Sequence, residues 1–303
     1  MLAVIALIAP GQGSQTPGML LPWIADPSSA ELLGQWSQAI DLDLLHLGTT
    51  ADADEIRDTA NAQPLIVAAG LLSAGALDVE GKFSYVAGHS VGEITAAALA
   101  GVVSPVDALR LVRVRGLEMA KAAAASPSGM SAVLGGDRKV VLKAILDAGL
   151  VAANDNGGGQ IVAAGDLDAL AALAPEGARV RALQVAGAFH THFMAPAVAA
   201  FTKFASTITT FDPTVGVLSN RDGQVLTSGS EILDRIVSQV ANPVRWDLCM
   251  STMQTSGVTK ALEVAPAGTL VGLIKRAAPS IEGFAFKSPD DLAAASQFVS
   301  SKG

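Results

Sequence analysis

The sequence predicts an α/β fold in which a mostly parallel-sheet body is interrupted by a smaller inserted subdomain. Short apolar runs alternate with Ala-rich helical segments through the first 125 residues, an order typical of a parallel sheet covered by helices on both faces. After a Ser-Pro-Ser-Gly break at residues 126–129, the predicted elements become shorter. Half of the residues are hydrophobic and only 16% are charged, so the chain can bury a sizeable core.

The body begins with strands of nearly continuous apolar sequence. Val4–Ala9 is the first predicted strand and Phe83–Ala87 the second, because a strand buried on both faces lacks polar alternation. Gln63–Leu77 is predicted as an Ala-rich helix. A further helix is predicted from Pro105 to about Ala125, since Ser104 supplies an N-cap and proline suits the first helical position.

The middle of the chain predicts a complete small fold. Between residues 130 and 185, apolar and amphipathic segments follow the order β-α-β-β-α-β, which matches the ferredoxin-like unit. Longer helices resume after this segment. The predicted division is therefore a large subdomain at 1–127, the small subdomain at 128–189, and the rest of the large subdomain at 190–303. A cleft between the two is a common location for an active site.

Composition excludes several classes of protein. The net charge of −8 argues against nucleic acid as a partner, and the single Cys249 excludes an internal disulfide framework. The first ten residues lack the positive region and cleavage site of a signal peptide. No later apolar run reaches the roughly 18 residues that cross a bilayer. We therefore expect a cytoplasmic protein without membrane segments.

Residues 88–92, Gly-His-Ser-Val-Gly, form a G-x-S-x-G pentapeptide between a predicted strand and a predicted helix. This is the context of a nucleophile elbow, in which glycines permit a sharp turn and the serine hydroxyl projects. The following helix directs its N-terminus at that hydroxyl and favours the negative charge of acyl transfer. Ser90 is therefore the candidate nucleophile; the alternative is a glycine-flanked turn with an ordinary N-cap serine.

A serine nucleophile requires a base, and the chain has only four histidines. His89 lies within the elbow and points away from Ser90 if the turn is regular, while His46 lies in a Leu-rich amphipathic stretch. His190 and His192 fall where the small subdomain returns to the body. Spacing favours His190 only slightly, and a structural role for both remains an alternative.

Arg115 is a charge on an apolar face. Helical periodicity places it in the centre of the stripe formed by Ala108, Leu111, Val112, Met119 and Ala122. A buried guanidinium needs an anion, which is either a buried Asp or Glu or the carboxylate of a substrate. An acyl group with a free carboxylate, such as malonyl, suits the second explanation. Met119 is also predicted to contact the substrate.

Five motifs in order resemble those of the malonyl-CoA:acyl-carrier-protein transacylases. They span most of the chain and lie at residues 11–15 (GQGSQ), 88–93 (GHSVGE), 113–116 (RVRG), 187–190 (GAFH) and 239–246 (QVANPVRW). The resemblance implies an α/β-hydrolase-like body with a ferredoxin-like insertion. One departure is the segment at residues 263–267, which has alanines where the family usually shows glycines. This segment is far in sequence from the proposed chemistry.

The resemblance also implies an activity: transfer of malonyl from malonyl-CoA to the phosphopantetheine thiol of acyl carrier protein, for fatty acid or polyketide synthesis. Ser90 would be the nucleophile and His190 its base, oriented by the main-chain carbonyl of Gln239. The N–H groups of Gln12 and Val91 would form the oxyanion hole.

The same resemblance assigns the substrate contacts. Arg115 would bind the malonyl carboxylate, and Phe189 would crowd the extra methyl of methylmalonyl. No metal or bound organic cofactor is expected. Because the chain is acidic overall, carrier docking would need a local basic patch, for which Arg179, Arg181, Lys275 and Arg276 are candidates.

Two other classes of protein are alternative interpretations of the same sequence. An esterase or thioesterase could use the same serine and histidine with Asp155 or Asp166 as the triad acid. A non-catalytic scaffold that binds acyl groups would retain the elbow without turnover. Gln63, directly before Pro64, either lines the pocket or marks a helix start.

Overall fold

The structure is a computed structural model that describes residues 3–77 and 81–301. Its strands are β1 Val4–Ala9, β2 Tyr85–Gly88, β3 Gly129–Gly135, β4 Val151–Asp155, β5 Gln160–Gly165, β6 Ala178–Ala182, β7 Gly216–Leu218, β8 Val225–Leu226, β9 Val244–Arg245, β10 Val258–Glu263 and β11 Glu282–Ala285. Its α-helices are α1 Pro27–Ile40, α2 Leu44–Thr49, α3 Thr59–Ala76, α4 Gly92–Leu99, α5 Pro105–Ala125, α6 Arg138–Asp147, α7 Leu167–Ala172, α8 Ala195–Ala205, α9 Gly229–Gln239, α10 Trp246–Thr255, α11 Thr269–Ala277 and α12 Leu292–Ser300.

The larger part of the molecule is built on a six-stranded sheet of order β11-β10-β1-β2-β7-β8. Its neighbouring strands run parallel, except that β8 is antiparallel to β7. The central strand β1 is buried from Ile5 to Ala9, as its continuous apolar sequence predicts. The predicted bounds of this strand are confirmed, and those of α5 are as well.

A second sheet of five strands has the order β6-β3-β5-β4-β9. The first four strands pair antiparallel, whereas β9 joins β4 in parallel. One face packs against α6 and α7 through side chains that include Val133, Ile145, Ile161 and Leu170. The mixed α/β class is thus confirmed, and the structure contains two mixed sheets.

Helix α3 starts earlier than the sequence predicts. Asp58 caps it by accepting a hydrogen bond from the N–H of Ala60, so Pro64 lies inside the helix and Gln63 does not mark its start. Residues 62–74 are all buried, because α3 lies among other elements of the main core. A Cβ on Gly116 of α5 would lie 3.0 Å from the carbonyl oxygen of Thr59. Glycine therefore permits the close approach that brings α5 alongside α3.

Strand β6 spans Ala178–Ala182, whereas the sequence predicts a last strand of the small fold from Arg179 to Val185. The N–H of Leu183 still donates to the carbonyl oxygen of Met130 on β3, and the side chains of Leu183 and Val185 line a cavity. None of the helices in residues 3–77 and 81–301 combines the length and the apolar character needed to cross a bilayer.

Candidate active site

Ser90 lies in a tight turn between β2 and α4, as the pentapeptide predicts. Its φ of 54° is in the left-handed region, which non-glycine residues adopt at an energetic cost. The flanking glycines are required by space: a Cβ on Gly88 would lie 1.9 Å from the carbonyl oxygen of Gly92, and one on Gly92 would lie 2.3 Å from that of Ala9. The turn therefore packs directly against the end of β1.

His190 is the histidine that reaches Ser90. The distance from Ser90 Oγ to His190 Nε2 is 2.8 Å, and Nδ1 lies 3.0 Å from the carbonyl oxygen of Gln239. Because a carbonyl only accepts, Nδ1 carries the hydrogen and Nε2 is free to accept a proton. Burial, and then the charge of Arg115, lower the pKa of His190 to about 3, so the imidazole is neutral at physiological pH.

None of the other three histidines, all of which the structure describes, bonds the Ser90 hydroxyl. His192 is exposed. His46 lies at the surface, where it bonds Glu55 and 45% of its side chain is exposed. His89 points away from Ser90, and its Nε2 lies 2.8 Å from Oδ1 of Asn156. Of the two histidines that spacing left open, His190 is the one within hydrogen-bond distance of Ser90.

Neither carboxylate nominated for a hydrolase triad approaches the imidazole. Asp155 accepts two hydrogen bonds from Arg138, and Asp166 caps the N-terminus of α7. The Nδ1 hydrogen of His190 is already donated to a main-chain oxygen. The pair therefore has no triad acid among the described residues.

Arg115 is 2% exposed and its guanidinium bonds only neutral groups. One terminal nitrogen donates to Oε1 of Gln63 at 2.6 Å, and the other donates to Ser90 Oγ at 3.3 Å. Within the described ranges it forms no ion pair with Asp or Glu. Burial lowers its pKa to about 10, so the cation persists at neutral pH. The charge of buried Glu93 acts on Arg115 without a salt bridge and raises the pKa of the guanidinium, and a role of Arg115 toward a substrate carboxylate stays a prediction.

Gln63 is a residue of the site that sequence analysis left undecided. It is 1% exposed, and its amide holds Arg115 on one side and contacts Sδ of Met119 on the other at 3.5 Å. The available signal was a polar amide within an otherwise apolar Ala-rich segment, since a buried amide must find partners.

Two main-chain donors near Ser90 are unused. Among the described residues, no acceptor within the protein takes the N–H of Gln12 or of Val91. The side chain of Gln12 donates to the hydroxyl of Thr59 at 3.1 Å, which fixes the loop after β1. A Cβ on the preceding Gly11 would lie 2.7 Å from the carbonyl oxygen of His89, so this loop touches the elbow.

These groups surround one cavity of about 220 Å³. The predicted site residues that line it are Gln12, Ser90, Val91, Arg115, Met119, Phe189 and His190. Gln239 lies behind His190, buried to 3% exposure. Thr269 and Leu270 also line the cavity, so the segment with unusual alanines, although far in sequence, leads directly into this wall.

Comparison with known proteins gives first the class and then the family. Residues 7–289 match the model of the acyl transferase domain, which identifies the class as acyltransferase. The malonyl CoA-acyl carrier protein transacylase of Mycobacterium tuberculosis is 56% identical over 95% of this chain and 98% of its own. That of Escherichia coli is 35% identical over 96% and 98%. The chain belongs to the malonyl CoA-acyl carrier protein transacylase family.

Solved structures agree with the sequence matches. The crystal structure of the Mycobacterium tuberculosis protein superposes with a TM-score of 0.94 at 55% identity and covers 97% of this chain and 99% of its own. A malonyl-transacylase solved in complex with a type II PKS acyl-carrier protein superposes with a TM-score of 0.89 at 29% identity, over 97% and 99%.

Proposed function

We propose that this protein transfers malonyl from malonyl-CoA to an acyl carrier protein through a covalent intermediate on Ser90. The observation that carries the proposal is the Ser90–His190 pair with a buried cation beside it, Nη2 of Arg115 being 3.3 Å from Ser90 Oγ. A nucleophile and base alone would suit many acyl groups, whereas the cation selects one with a carboxylate. The two related transacylases, from Mycobacterium tuberculosis and Escherichia coli, support the same substrates by their names.

In the first half-reaction Ser90 is acylated. His190 Nε2 accepts the Ser90 proton as Oγ attacks the thioester carbonyl carbon, and the carbonyl π electrons move to oxygen. The N–H groups of Gln12 and Val91 donate to that oxyanion. When the C–S bond breaks, the sulfur of coenzyme A takes the proton from His190, which leaves malonyl on Ser90.

The second half-reaction reverses these steps with another thiol. His190 accepts the proton of the phosphopantetheine thiol as its sulfur attacks the malonyl ester. The C–O bond to Ser90 breaks, and Oγ takes the proton back. The carbonyl of Gln239 holds the imidazole in one tautomer throughout, because it accepts the Nδ1 hydrogen at 3.0 Å.

Arg115 provides the selection. Only two of its five N–H donors take acceptors from the described residues, so others remain for a carboxylate held by two parallel bonds. Phe189 and Met119 line the same cavity. Their apolar surfaces would contact the short malonyl chain, and the ring of Phe189 would oppose an added methyl group.

The carrier protein is the second substrate, as in the solved complex of the related malonyl-transacylase. The four basic residues singled out from the sequence are all exposed. Arg276 donates to the side chain of Gln160, and Gln160 and Arg179 pair with the same residue of β3, Leu134. Two of the four therefore lie near one end of the small sheet, close to a residue that lines the cavity, and a docking site there stays a prediction.

We also propose that residues 128–189 form an inserted ferredoxin-like subdomain within an α/β-hydrolase-like body at 1–127 and 190–303. The order β3-α6-β4-β5-α7-β6, with sheet order β6-β3-β5-β4 and antiparallel neighbours, supports this assignment. The cytoplasmic location stays a prediction, as do the absence of a cofactor and the absence of nucleic-acid and membrane partners.

Intact-protein mass after brief incubation with malonyl-CoA tests the function. We expect a gain of one malonyl group on the wild-type protein, its absence in Ser90→Ala, and its discharge when holo acyl carrier protein is added. Release of free malonate that does not depend on a carrier would instead favour the hydrolase. The hydrolase has less support, because no carboxylate among residues 3–77 and 81–301 bonds His190 and because hydrolysis gives no role to Arg115.

A further inference from the structure

Asn220 is a buried residue, 0% exposed, that lies directly behind the nucleophile. Its side-chain Oδ1 accepts the N–H of Ser90 at 2.7 Å, and its Nδ2 donates to the carbonyl oxygen of Gly88, also at 2.7 Å. The amide of Asn220 thus connects Gly88, at the end of β2, to Ser90, at the apex of the elbow. The N–H of Ser90 has no other hydrogen-bond partner among the described residues.

The position of Asn220 follows from the sheet. Strand β7 pairs in parallel with β2 as far as Ala87 and Leu218, and the chain of β2 then turns away into the elbow. A parallel neighbour can no longer offer main-chain partners there. The Asn220 side chain, two residues beyond the end of β7, supplies a donor and an acceptor in their place, and so continues the pairing around the turn.

Glu93 holds Asn220 in turn. Its Oε1 accepts the main-chain N–H of Asn220 at 2.7 Å, and the side chain is 5% exposed. Within the described part of the chain, Oε2 of Glu93 has no partner. Burial raises the pKa of Glu93 to about 8, so the carboxyl group is largely neutral at physiological pH. A neutral oxygen acceptor is therefore sufficient for the hydrogen bond from the Asn220 N–H.

We propose that Asn220, held by Glu93, is a positioning residue that keeps Ser90 in its left-handed conformation with Oγ directed at His190. The proposal rests on the proposed acyltransfer function. In it the glycines permit the turn of the elbow, and Asn220 fixes the main chain of that turn. A φ of 54° at Ser90 persists only where the surroundings enforce it. Displacement of a reacting atom by about 1 Å can cost about 100-fold in rate.

The experiment follows the malonylation of Ser90 by rapid-quench intact mass at saturating malonyl-CoA. The rate constant reports the positioning of the nucleophile, and the final amplitude reports the fraction of competent protein. For Asn220→Leu, of similar volume but without polar atoms, we expect a rate constant lower by about 100-fold with full amplitude. A wild-type rate, or a loss confined to amplitude, would overturn the proposal.

Two further variants, at Asn220 and at Glu93, test the two hydrogen-bonded contacts separately. Asn220→Asp keeps an acceptor for Ser90 but sets an oxygen against the Gly88 carbonyl, and should lose about 10-fold in rate constant; it decides the matter if Asn220→Leu does not fold. Glu93→Gln preserves a neutral acceptor and should stay within about threefold of wild type; a loss as large as that of Asn220→Leu would refute the role of Glu93.

Cys249→Ala is the matched control for packing. Asn220 Nδ2 donates to the Cys249 sulfur over a long 3.7 Å, whereas the contacts of Asn220 with Ser90 and Gly88 are 2.7 Å, so removal of the sulfur should leave the rate constant unchanged. An equal loss in this control would assign the effect of Asn220→Leu to packing and overturn the proposal. Wild type and Ser90→Ala run in parallel: if the wild-type protein gains no malonyl, the proposed function fails rather than the positioning role.

Discussion

Two regions of the described structure bury a cation that forms no salt bridge there, and the two cations have different hydrogen-bond partners. Lys260, on β10, is 4% exposed, and its Nζ bonds three oxygens, two from Ser301 and one from Phe298. Its three donors therefore meet three acceptors supplied by the fold. Arg115 is 2% exposed but uses two donors on neutral side chains beside a cavity. A cation that the fold satisfies is structural, whereas one that the fold leaves incomplete is prepared for a ligand.

The largest effect expected from this comparison is on selectivity. Arg115→Met should lower kcat/KM for malonyl-CoA by about 100-fold or more, since each charge-assisted hydrogen bond lost is worth about 1.5–3 kcal/mol. Transfer of acetyl, which has no carboxylate, should fall far less. Lys260→Met is the matched control and should leave both rates unchanged. An equal fall for malonyl and acetyl in Arg115→Met would remove the carboxylate role.

The next effect in size is on the free energy of unfolding, and it should differ between Lys260→Met and Arg115→Met. Lys260→Met should reduce the free energy of unfolding by about 1–2 kcal/mol, because three hydrogen bonds to a charged group are lost. Arg115→Met should change it by less than about 1 kcal/mol, because removal of a buried cation offsets the loss of its hydrogen bonds to Gln63 and Ser90. Urea unfolding of the two variants beside wild type measures both. Destabilisation by Arg115→Met as large as that by Lys260→Met would break the contrast.

The smallest effect concerns pH. With a folded pKa near 3, His190 stays neutral and competent well below its ordinary value of 6.5. The rate constant for malonylation should therefore vary less than about twofold between about pH 5 and pH 7. An inflection near 6.5 would show an unperturbed imidazole. Because only the unfolded chain takes up this proton as the pH falls below 6.5, His190 lowers the folded stability progressively toward acid.

The Arg115 charge is the second cause of the low pKa of His190, after burial. In Arg115→Met the pKa of His190 should therefore rise toward its ordinary value. The pH profile of acetyl transfer by this variant measures the change. A profile unchanged from wild type would mean that burial alone controls the imidazole.

The sequence predicted the bounds of those elements whose limits are set by their own residues. Strand β1 is apolar throughout and α5 carries its own cap and first-turn proline, so both have the predicted bounds. The start of α3 was missed because Pro64 suggested a boundary that tertiary packing overrides. The end of β6 was missed because Leu183 and Val185 line a cavity rather than a sheet, and both environments favour apolar side chains.

The site divides in the same manner. Ser90 and Arg115 stood out because the pentapeptide and the misplaced charge are each visible within one element. The preference for His190 over His192, and the place of Gln239, came from the family resemblance, since spacing alone carries little. Asn220 was not noticed at all: its contact with Ser90 spans 130 residues, and nothing local distinguishes this asparagine from one in a turn.

The pairing of β9 with β4 alters what counts as a separable piece of this molecule. Val244 and Arg245 belong to the later body of the chain, yet they form the edge of the small sheet beside Asn154 and Asp155. A chimera that exchanged residues 128–189 alone would leave that edge facing a foreign partner. The transplantable module is therefore discontinuous and includes the strand that leads into α10, so recombination between relatives would have to respect two crossover intervals rather than one.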